Sequence, residues 1–315
     1  MANISVATAR LPIPFGVHHS KLSLFQDSDD YIHVIVSTAN LIEGDWRAKT
    51  QQFYYTKGKI LNEQVQKRTA FSNDLETYLK GYNLHEIEYW ISRLAFVQFP
   101  ECTTRLVFSL PGYHKAPFKE KVGHLAIRNA LNERNKTDGD LSKLMVCQSS
   151  SIGSLGPKPS SWFTSQFLSS LRGDGDCSQT RLYVIYPTLN QVIDSFEGVA
   201  AGGSLPYQQN THSKQEWLRE KMCKWKSDQM GRSQAMPHVK AYTQINSSRT
   251  VDWQILSSAN LSKAAWGEEQ KEKTQLMVRS YEVGVLILDP LRVRLPFDYP
   301  ICFYNKQDRP WTIDN

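Results

Sequence analysis

The sequence carries one stretch twice, and this duplication constrains the possible fold more than any other feature. Each copy holds a histidine, a lysine two positions later, and an asparagine nineteen or twenty positions after the lysine. The six residues are His19, Lys21 and Asn40 within residues 16–51, and His238, Lys240 and Asn260 within residues 236–275. Each asparagine belongs to a Ser-x-Ala-Asn-Leu sequence and is followed six residues later by tryptophan. Copies that agree in so many details predict an internal duplication and one site built from both halves.

Apolar runs precede both asparagines and indicate buried strands. These runs span residues 32–36 and 253–256. Residues two positions apart in a strand point to the same face, so the histidine and lysine of each copy are predicted to reach one pocket. Each asparagine is then expected at a strand end, where sites are often built.

The six side chains suit a phosphate group. They comprise two imidazoles, two ammonium groups and two carboxamides, with no carboxylate among them. Lysine supplies fixed positive charge, asparagine supplies N–H donors, and histidine can attack or transfer a proton near neutral pH. A third His-x-Lys pair, His212 and Lys214, has no such asparagine motif after it and is interpreted as surface. One pair alone is a chance match, whereas two full copies favour an active site.

With these motifs the sequence resembles the tyrosyl-DNA phosphodiesterases, the DNA-repair branch of the phospholipase D superfamily. The wider superfamily follows His-x-Lys with an aspartate, whereas this chain has asparagine in both copies. The resemblance covers nearly the whole chain. Further stretches that carry it are FGVHHSK at 15–21, SSSIGSLG at 149–156, AGGSLPY at 201–207, GRSQAMPHVK at 231–240, SANLSKAAWG at 258–267, TQLMVRSYEVGVL at 274–286 and RPW at 309–311.

The resemblance implies an α/β fold of two duplicated phospholipase D-like halves, each a mixed β-sheet flanked by helices, with the active site between them. We place the halves at residues 1–110 and 111–315, because Pro111-Gly112 breaks the chain after an apolar strand at 104–110. Family members carry more chain before the first motif. The first half is therefore expected to be N-terminally incomplete and to expose a strand edge.

Periodicity predicts further elements around the motifs. The predicted helices span residues 73–80, 85–96, 119–132, a segment starting at 160 or 161, and 214–229. The predicted strands span residues 141–147 and 181–186, with a pair of strands within 274–288.

The resemblance also implies a two-step hydrolysis of a 3′-phosphotyrosyl linkage in DNA. His19 attacks the phosphorus and forms a phosphohistidine, while His238 protonates the leaving phenol and then activates water, leaving a 3′-phosphate. Lys21, Lys240, Asn40 and Asn260 stabilise the charged transition state. Because they take the role often given to Mg²⁺, no metal and no cofactor are expected.

Two further residues match family positions that orient the imidazoles. Glu282 is expected to serve His19, and Gln51 is expected to serve His238. Because Lys-Thr-Gln occurs in both copies, Gln275 stays open as a rival to Gln51. His18 alternates to the opposite face from His19 and is expected to be structural.

The candidate DNA contacts come from the same resemblance. Ser151 and Ser154 lie in a Ser/Gly loop after a predicted strand, and such loops offer N–H and hydroxyl donors to phosphate. Ser262 and Lys263 resemble family residues close to the phosphate backbone. Phe15 either stacks on a base or only packs. Trp311 either lies near the substrate groove or only packs.

Composition bears on partners and location. A net charge of +6 and a pI near 8.9 mildly favour an anionic partner. The expected partner is DNA with a 3′-blocked end, single- or double-stranded, carrying a topoisomerase-derived tyrosyl peptide. The apolar run at 283–288 is too short to span a membrane. Five scattered cysteines indicate a reduced intracellular setting without structural zinc. We expect a monomer in the nucleus, with the cytoplasm as a second location.

Two other functions stay open. One is a catalytically impaired protein that binds single-stranded DNA, because the first half lacks its N-terminal segment. The other is a lipid-cleaving phospholipase D, which asparagine in place of aspartate and the lack of an amphipathic membrane element disfavour.

Overall fold

A computed structural model describes residues 4–101, 103–134, 143–173 and 179–314. The strands are β1 Leu22–Gln26, β2 Tyr31–Ser37, β3 Phe53–Ile60, β4 Val97–Gln98, β5 Arg105–Ser109, β6 Gly112–Lys115, β7 Leu144–Gln148, β8 Arg181–Ile185, β9 Met222–Lys224, β10 Ala241–Ile245, β11 Val251–Ser257, β12 Glu268–Gln270, β13 Gln275–Val278, β14 Glu282–Ile287 and β15 Cys302–Phe303. The α-helices are α1 Glu43–Arg47, α2 Ala70–Lys80, α3 Glu88–Leu94, α4 Gly123–Glu133, α5 Ser169–Arg172, α6 Leu189–Ile193, α7 Gln209–Ser213 and α8 Lys263–Trp266.

The described strands form three sheets, and the fold is the mixed α/β fold that was predicted. One sheet has the order β1-β2-β3-β4, and a larger one has the order β15-β9-β8-β7-β10-β11-β14-β5. A small sheet has the order β12-β13-β6. In the larger sheet β7, β8 and β9 run parallel, whereas β10, β11, β14 and β5 pair antiparallel. Helices and sheets of this kind enclose one hydrophobic core.

Each copy of the repeated stretch folds as an antiparallel hairpin. β1 pairs with β2, and β10 pairs with β11. The His-x-Lys pair leads into the first strand of each hairpin, and the asparagine follows the second. The N–H of Ser37 donates to the carbonyl of Lys21 at 2.9 Å, and the N–H of Ser257 donates to that of Lys240 at 3.1 Å. The hairpin therefore brings the lysine end and the asparagine end of each copy together.

The predicted strands before the asparagines are confirmed, as β2 and β11. The His-x-Lys pairs differ slightly from the prediction, because they lie in extended chain just before β1 and β10 rather than within them. The N–H of His19 donates to the carbonyl of Tyr281, and that of His238 donates to the carbonyl of Thr50, each at 3.0 Å. These hydrogen bonds connect each His-x-Lys pair to the other half of the chain. They lie outside the strand pairing of β1 with β2 and of β10 with β11.

Helix α2 packs into the same hydrophobic core as the first sheet. Thr69 caps its first turn, since the Thr69 side chain accepts a hydrogen bond from the N–H of Ser72. The helix ends at Lys80 before Gly81, as the sequence predicts, but begins three residues earlier than residue 73. Its buried face includes Leu75 and Leu79, which belong to the same core cluster as the buried β2 residues.

The larger sheet is covered on both faces near the motifs. Every residue of its strands β7, β10 and β14 is buried, unlike the alternating pattern of β2 in the other sheet. Near-continuous burial is typical of strands that have packing layers on both sides. The residues at the ends of β10 and β11 are therefore fixed by a rigid support.

The predicted helix at 214–229 is wrong. The chain forms a short 3₁₀ turn at Glu216–Lys221 and then strand β9, which pairs parallel with β8. Trp217 and Trp225 have helical spacing, but Trp225 is fully buried as the chain leaves the strand. β9 hydrogen-bonds with β8, which outweighs the weak helical preference of the segment.

The strands predicted within 274–288 exist but do not pair with each other. β13 pairs with β6 in the small sheet, whereas β14 joins β11 and β5 in the large one. β5, predicted at 104–110 and confirmed, therefore extends the sheet of the second half. The division of the chain at residue 110 stays a prediction.

The remaining predicted elements differ mainly at their ends. Strand β8 is confirmed, and β7 occupies Leu144–Gln148; the first two residues predicted for it, 141 and 142, lie outside the described residues. A 3₁₀ turn at Phe118–Lys121 precedes α4, a 3₁₀ turn at His85–Ile87 precedes α3, and a π-helical turn at Phe163–Leu168 precedes α5. Among the described residues no helix is long and apolar enough to cross a membrane.

Candidate active site

The two copies of the repeat meet at one open cleft. Its volume is about 380 Å³, and both histidines and both asparagines of the motifs, His19, His238, Asn40 and Asn260, line it. Asp45, Lys49 and Glu197 contribute charged groups to the same lining. The sequence prediction of one site built from both copies therefore describes the arrangement that is observed.

His19 is oriented by a carboxylate from the second half. Its Nδ1 lies 3.1 Å from Oε2 of Glu282, a side chain that is itself buried. The hydroxyl of Ser258 donates to the same oxygen, which fixes the position of the carboxylate. With Nδ1 engaged in this way, Nε2 is the ring nitrogen left to face the cleft.

His238 is oriented by side chains from the first half. Its Nδ1 lies 3.1 Å from Nε2 of Gln51 and 3.3 Å from Oδ2 of Asp45. The hydroxyl of Thr38 donates to the amide oxygen of Gln51 at 2.7 Å. Gln275, the alternative to Gln51, lies on β13 in the small sheet. Its Nε2 donates to Oε1 of Gln270 at 3.1 Å. Each histidine therefore has a partner from the other half of the chain, in the pairing that the resemblance implies.

The two lysines hold equivalent positions. Nζ of Lys21 donates to the carbonyl of His19, and Nζ of Lys240 donates to the carbonyl of His238, each at 2.6 Å. Burial lowers the pKa of Lys240 well below its ordinary value, and the charge of Lys21 lowers it further. Burial likewise lowers the pKa of Lys21. Two close ammonium groups of this kind favour a bound anion, which would stabilise their charged forms.

The two asparagines are held by unlike partners. Asp45 Oδ2 accepts from the Asn40 backbone N–H at 2.7 Å and from Asn40 Nδ2 at 2.9 Å. Oδ1 of Asn260 accepts from the N–H of Ser151 and from the hydroxyl of Ser150, each at 3.1 Å. The hydroxyl of Ser149 lies 3.0 Å from the same oxygen. Since each carboxamide has two N–H bonds, both asparagines keep a donor for a ligand in the cleft.

Asp45 is the functional residue that sequence reasoning missed. It belongs to neither His-Lys-Asn set, and the one carboxylate predicted for the site was Glu282. A position-by-position comparison of the copies contains the signal, because Asp45 lies five residues after Asn40 where the second copy has Ala265 five residues after Asn260.

The electrostatics of His238 and Asp45 are coupled. Burial lowers the pKa of His238 to about 4, with the charge of Lys240 acting in the same direction and Asp45 opposing it. Burial alone would raise the pKa of Asp45, but the hydrogen bond and charge of His238 and the bonds from Asn40 lower it to about 2. Asp45 is therefore ionised at neutral pH, and it is the nearest group that favours a proton on His238.

The four polar candidates for DNA contact do not belong to the residues that line the cleft. The backbone of Ser151 holds Asn260, and the hydroxyl of Ser151 donates to Pro206 at 3.3 Å, whereas Ser154 is exposed on the same loop. Ser262 caps helix α8, and Lys263 forms an ion pair with Glu268 at 2.6 Å. Neither of these two lines the cleft.

The two aromatic candidates differ in exposure. Phe15 is 92% exposed, in a left-handed backbone conformation, and is free to stack on a base. Trp311 is buried, and its ring packs over the backbone of Gly202. The packing of Trp311 is therefore observed, and a contact between Trp311 and substrate stays a prediction.

His18 faces away from its neighbour His19. Its Nε2 lies 2.8 Å from the hydroxyl of Tyr82, and its ring contacts Tyr82 and Tyr281. The hydroxyl of Tyr78 forms hydrogen bonds with the hydroxyls of Tyr82 and Ser20. This network anchors the segment on which His19 and Lys21 lie.

The geometry can be compared with known proteins. The sequence model of the family described as Tyrosyl-DNA phosphodiesterase matches residues 1–308. The chain is 43% identical to a probable tyrosyl-DNA phosphodiesterase of Caenorhabditis elegans, over 99% of this chain and 71% of the worm protein. It is 34% identical to Tyrosyl-DNA phosphodiesterase 1 of Drosophila melanogaster, over 99% of this chain and 59% of the fly protein.

Solved structures show the same fold. A crystal structure of a mutant yeast tyrosyl-DNA phosphodiesterase superposes with a TM-score of 0.82, at 22% identity, covering 99% of this chain and 80% of the yeast chain. A crystal structure described simply as the yeast tyrosyl-DNA phosphodiesterase superposes with a TM-score of 0.78, at 23% identity, over 96% of this chain and 79% of the other. At this identity the likeness concerns the fold alone.

Proposed function

The chain belongs to the tyrosyl-DNA phosphodiesterase family, and on that premise we propose that it hydrolyses 3′-phosphotyrosyl linkages in DNA through a covalent phosphohistidine. The observation that carries the proposal is the crossed arrangement of the two histidines. Each imidazole lines one cleft and is held at Nδ1 by a side chain from the other half of the chain. Two oriented imidazoles at one anion-binding cleft are what a double displacement at phosphorus needs.

His19 is the nucleophile in the first step. Nε2 of His19 forms a bond to phosphorus while the bond from phosphorus to the tyrosine oxygen breaks, and His238 gives its proton to the departing phenolate. Glu282 accepts from Nδ1 and stabilises the positive charge that develops on the attacking ring. The hydrogen bond from Ser258 fixes the carboxylate of Glu282, so the carboxylate stays beside the His19 ring throughout the step.

His238 acts as the base in the second step. It removes a proton from a water molecule whose oxygen bonds to phosphorus, and the bond from phosphorus to His19 breaks. The products are a 3′-phosphate and free tyrosine or peptide. The negative charge of a bound phosphate offsets the positive charges of Lys21 and Lys240. Binding therefore raises the pKa of His238 from its low value in the unliganded cleft.

The lysines and asparagines stabilise the transition state. Lys21 and Lys240 provide positive charge, and the free N–H groups of Asn40 and Asn260 donate to the phosphate oxygens. Donors that are already positioned need little reorganisation during the reaction, which is why this term is large in enzymes. Among the described residues no cluster of three or more histidine, cysteine, aspartate or glutamate side chains is arranged to hold a metal ion. The proposed reaction uses only the side chains named here.

The proposal extends to substrate, partners and location. The substrate is single- or double-stranded DNA whose 3′ end carries a tyrosyl peptide left by a topoisomerase, and the action is that of an exonuclease confined to blocked ends. Phenol has a pKa of about 10 and leaves far more readily than an alkoxide, so unmodified DNA is a poor substrate. We further propose a monomer that acts in the nucleus, with the cytoplasm as a second location.

The test is cleavage of a single-stranded oligonucleotide that bears a 3′-phosphotyrosine. We expect wild-type protein to convert it to a 3′-phosphate with excess EDTA present. His19→Ala and His238→Ala are expected to lose activity on the order of 10²-fold or more. Activity unaffected by both substitutions would contradict the proposal. Single-stranded DNA binding by folded wild-type protein without any turnover would instead support the impaired binding protein, and liposome hydrolysis would support the lipid hydrolase.

A further inference from the structure

Asp45 joins the two halves of the cleft through one oxygen atom. Its Oδ2 accepts from the backbone N–H and the side-chain Nδ2 of Asn40, and lies 3.3 Å from Nδ1 of His238. The side chain is almost wholly buried, yet it borders the cleft. A carboxylate in this position contacts one motif residue of each copy.

The repeat is unequal at this point. The second copy has Ala265 where the first has Asp45, so His19 has no equivalent of Asp45. The partner of His19 is the single carboxylate of Glu282, whereas His238 has the neutral amide of Gln51 and the carboxylate of Asp45. The copies therefore give their histidines different surroundings although the motifs themselves are alike.

We propose that Asp45 is the positioning residue that keeps His238 protonated as the proton donor to the leaving group. Asp45 accepts the proton on Nδ1 of His238, so that Nε2 points at the leaving oxygen, and its negative charge holds the second proton on the ring until the phenolate departs. The inference deepens the proposed function and rests on it.

The charges around His238 show why such a group is needed. Burial, together with the charges of Lys240 and Lys21, keeps the pKa of His238 low. Asp45 is the group near His238 that acts in the other direction, and its own low pKa keeps it ionised. Gln51 presents Nε2, a donor, to the same Nδ1, so it can hold this nitrogen only when Nδ1 carries no proton. Asp45 is the partner that can accept from Nδ1 once the ring is protonated.

The substitution Asp45→Asn removes the charge while keeping the shape of the side chain. A defect in proton donation has a signature that a general loss of structure lacks, because it depends on the leaving group. A tyrosyl ester needs a proton for its phenolate, whereas a 4-nitrophenyl ester has a much more acidic leaving group that departs without one. Single-turnover cleavage of matched oligonucleotides with each 3′ ester measures this difference.

We expect Asp45→Asn to slow cleavage of the tyrosyl ester by on the order of 10²-fold and that of the 4-nitrophenyl ester by less than about threefold. Asp45→Ser, which also removes the charge, is the second variant and gives the same pattern if Asp45→Asn does not fold. Asp27→Asn is the matched control. Asp27 forms a similar aspartate–histidine pair with His33 at 2.8 Å, outside the cleft, and its variant should cleave both esters at wild-type rates.

Equal slowing of both esters by the Asp45 variants, or slowing of neither, would overturn the inference while the proposed function stands. Wild-type protein that cleaves neither ester would overturn the proposed function and the inference with it. These outcomes are distinct, since the wild-type rate is measured on both esters in the same series.

Discussion

The carboxylate of Glu282 lies 3.1 Å from Nδ1 of His19, although 263 residues separate the two along the chain. The reciprocal contact joins Gln51 to His238 across 187 residues. Neither half can therefore orient its own histidine. The two halves have to assemble before either imidazole is set for chemistry, which makes the cleft a property of the whole chain.

Removal of the Glu282 charge should slow the first step. Glu282→Gln keeps a hydrogen-bond acceptor but loses the charge that stabilises a positively charged His19, and we expect a decrease in kcat on the order of 10²- to 10⁴-fold. Both esters should be affected alike, because His19 is the nucleophile in the cleavage of either one. Single-turnover rates on the two 3′ esters provide the measurement.

Glu88→Gln is the control for that experiment. Glu88 pairs with His85 at 2.9 Å on an exposed surface, so its loss should leave both rates unchanged. A wild-type rate for Glu282→Gln would show that the contact with His19 does not contribute to catalysis.

The serine loop should matter through Asn260. Ser150→Ala removes one of the donors to Oδ1 of Asn260, and a neutral hydrogen bond of this kind contributes about 1 kcal/mol. The freed carboxamide can rotate away from the cleft, so we expect kcat to fall by roughly five- to tenfold with substrate binding little changed. Ser154→Ala, on the exposed part of the loop, is the comparison. Equal kcat values for the two variants would contradict this role.

Buried His124 should make stability depend on pH. Burial, followed by the charge of Arg128, lowers the pKa of His124 to about 3, and its Nδ1 lies 2.7 Å from the hydroxyl of Ser170. Below about pH 6.5 the unfolded chain binds a proton that the folded chain excludes, so stability is lost as the pH falls from 6.5 towards 3. The expected loss from this residue between pH 7 and pH 5 is about 2 kcal/mol.

Urea unfolding at the two pH values measures that loss. His124→Leu removes the titrating group, and the difference in unfolding free energy between pH 7 and pH 5 should shrink by the amount given above. Other histidines with lowered pKa values, among them His238, keep part of the pH dependence in the variant. An unchanged difference would mean that His124 is protonated without cost in the folded protein.

Gly202 and Gly203 offer a matched test of the packing beside the cleft. A Cβ on Gly202 would lie 1.9 Å from an atom of the Trp311 ring, whereas a Cβ on Gly203 would meet nothing within 4 Å. We expect Gly202→Ala to lower the unfolding free energy by about 1–3 kcal/mol and Gly203→Ala to change it little. Thermal or urea denaturation distinguishes the two, and equal stability of both variants would contradict the packing described.

The parts of the site that lie in the repeat were predictable from the sequence. Duplicated motifs fix which residues belong together, so the strand before each asparagine and the placement of both asparagines at strand ends followed from local pattern. The partners Glu282 and Gln51 could be named only through resemblance to a family. No local rule joins residues that are so far apart along the chain.

Other features depend on tertiary contacts that the sequence does not display. The tryptophans around strand β9 have the spacing of a helix by chance, and this spacing predicts a helix there. Pairing with β8 makes the segment a strand instead. Asp45 was overlooked because its importance comes from a contact across the cleft with His238. Burial of Trp311 over Gly202 is likewise visible only in three dimensions.

The most direct test of the proposed mechanism is to identify the residue that carries the covalent intermediate. A 3′-phosphotyrosyl oligonucleotide would be mixed with excess His238→Asn protein, which slows hydrolysis of the intermediate, and the reaction would be stopped and digested for mass spectrometry. The mechanism predicts a nucleotide phosphate attached to the peptide that contains His19, at the ring nitrogen facing the cleft. Attachment to another residue, or release of tyrosine in the first turnover without any protein adduct, would contradict it.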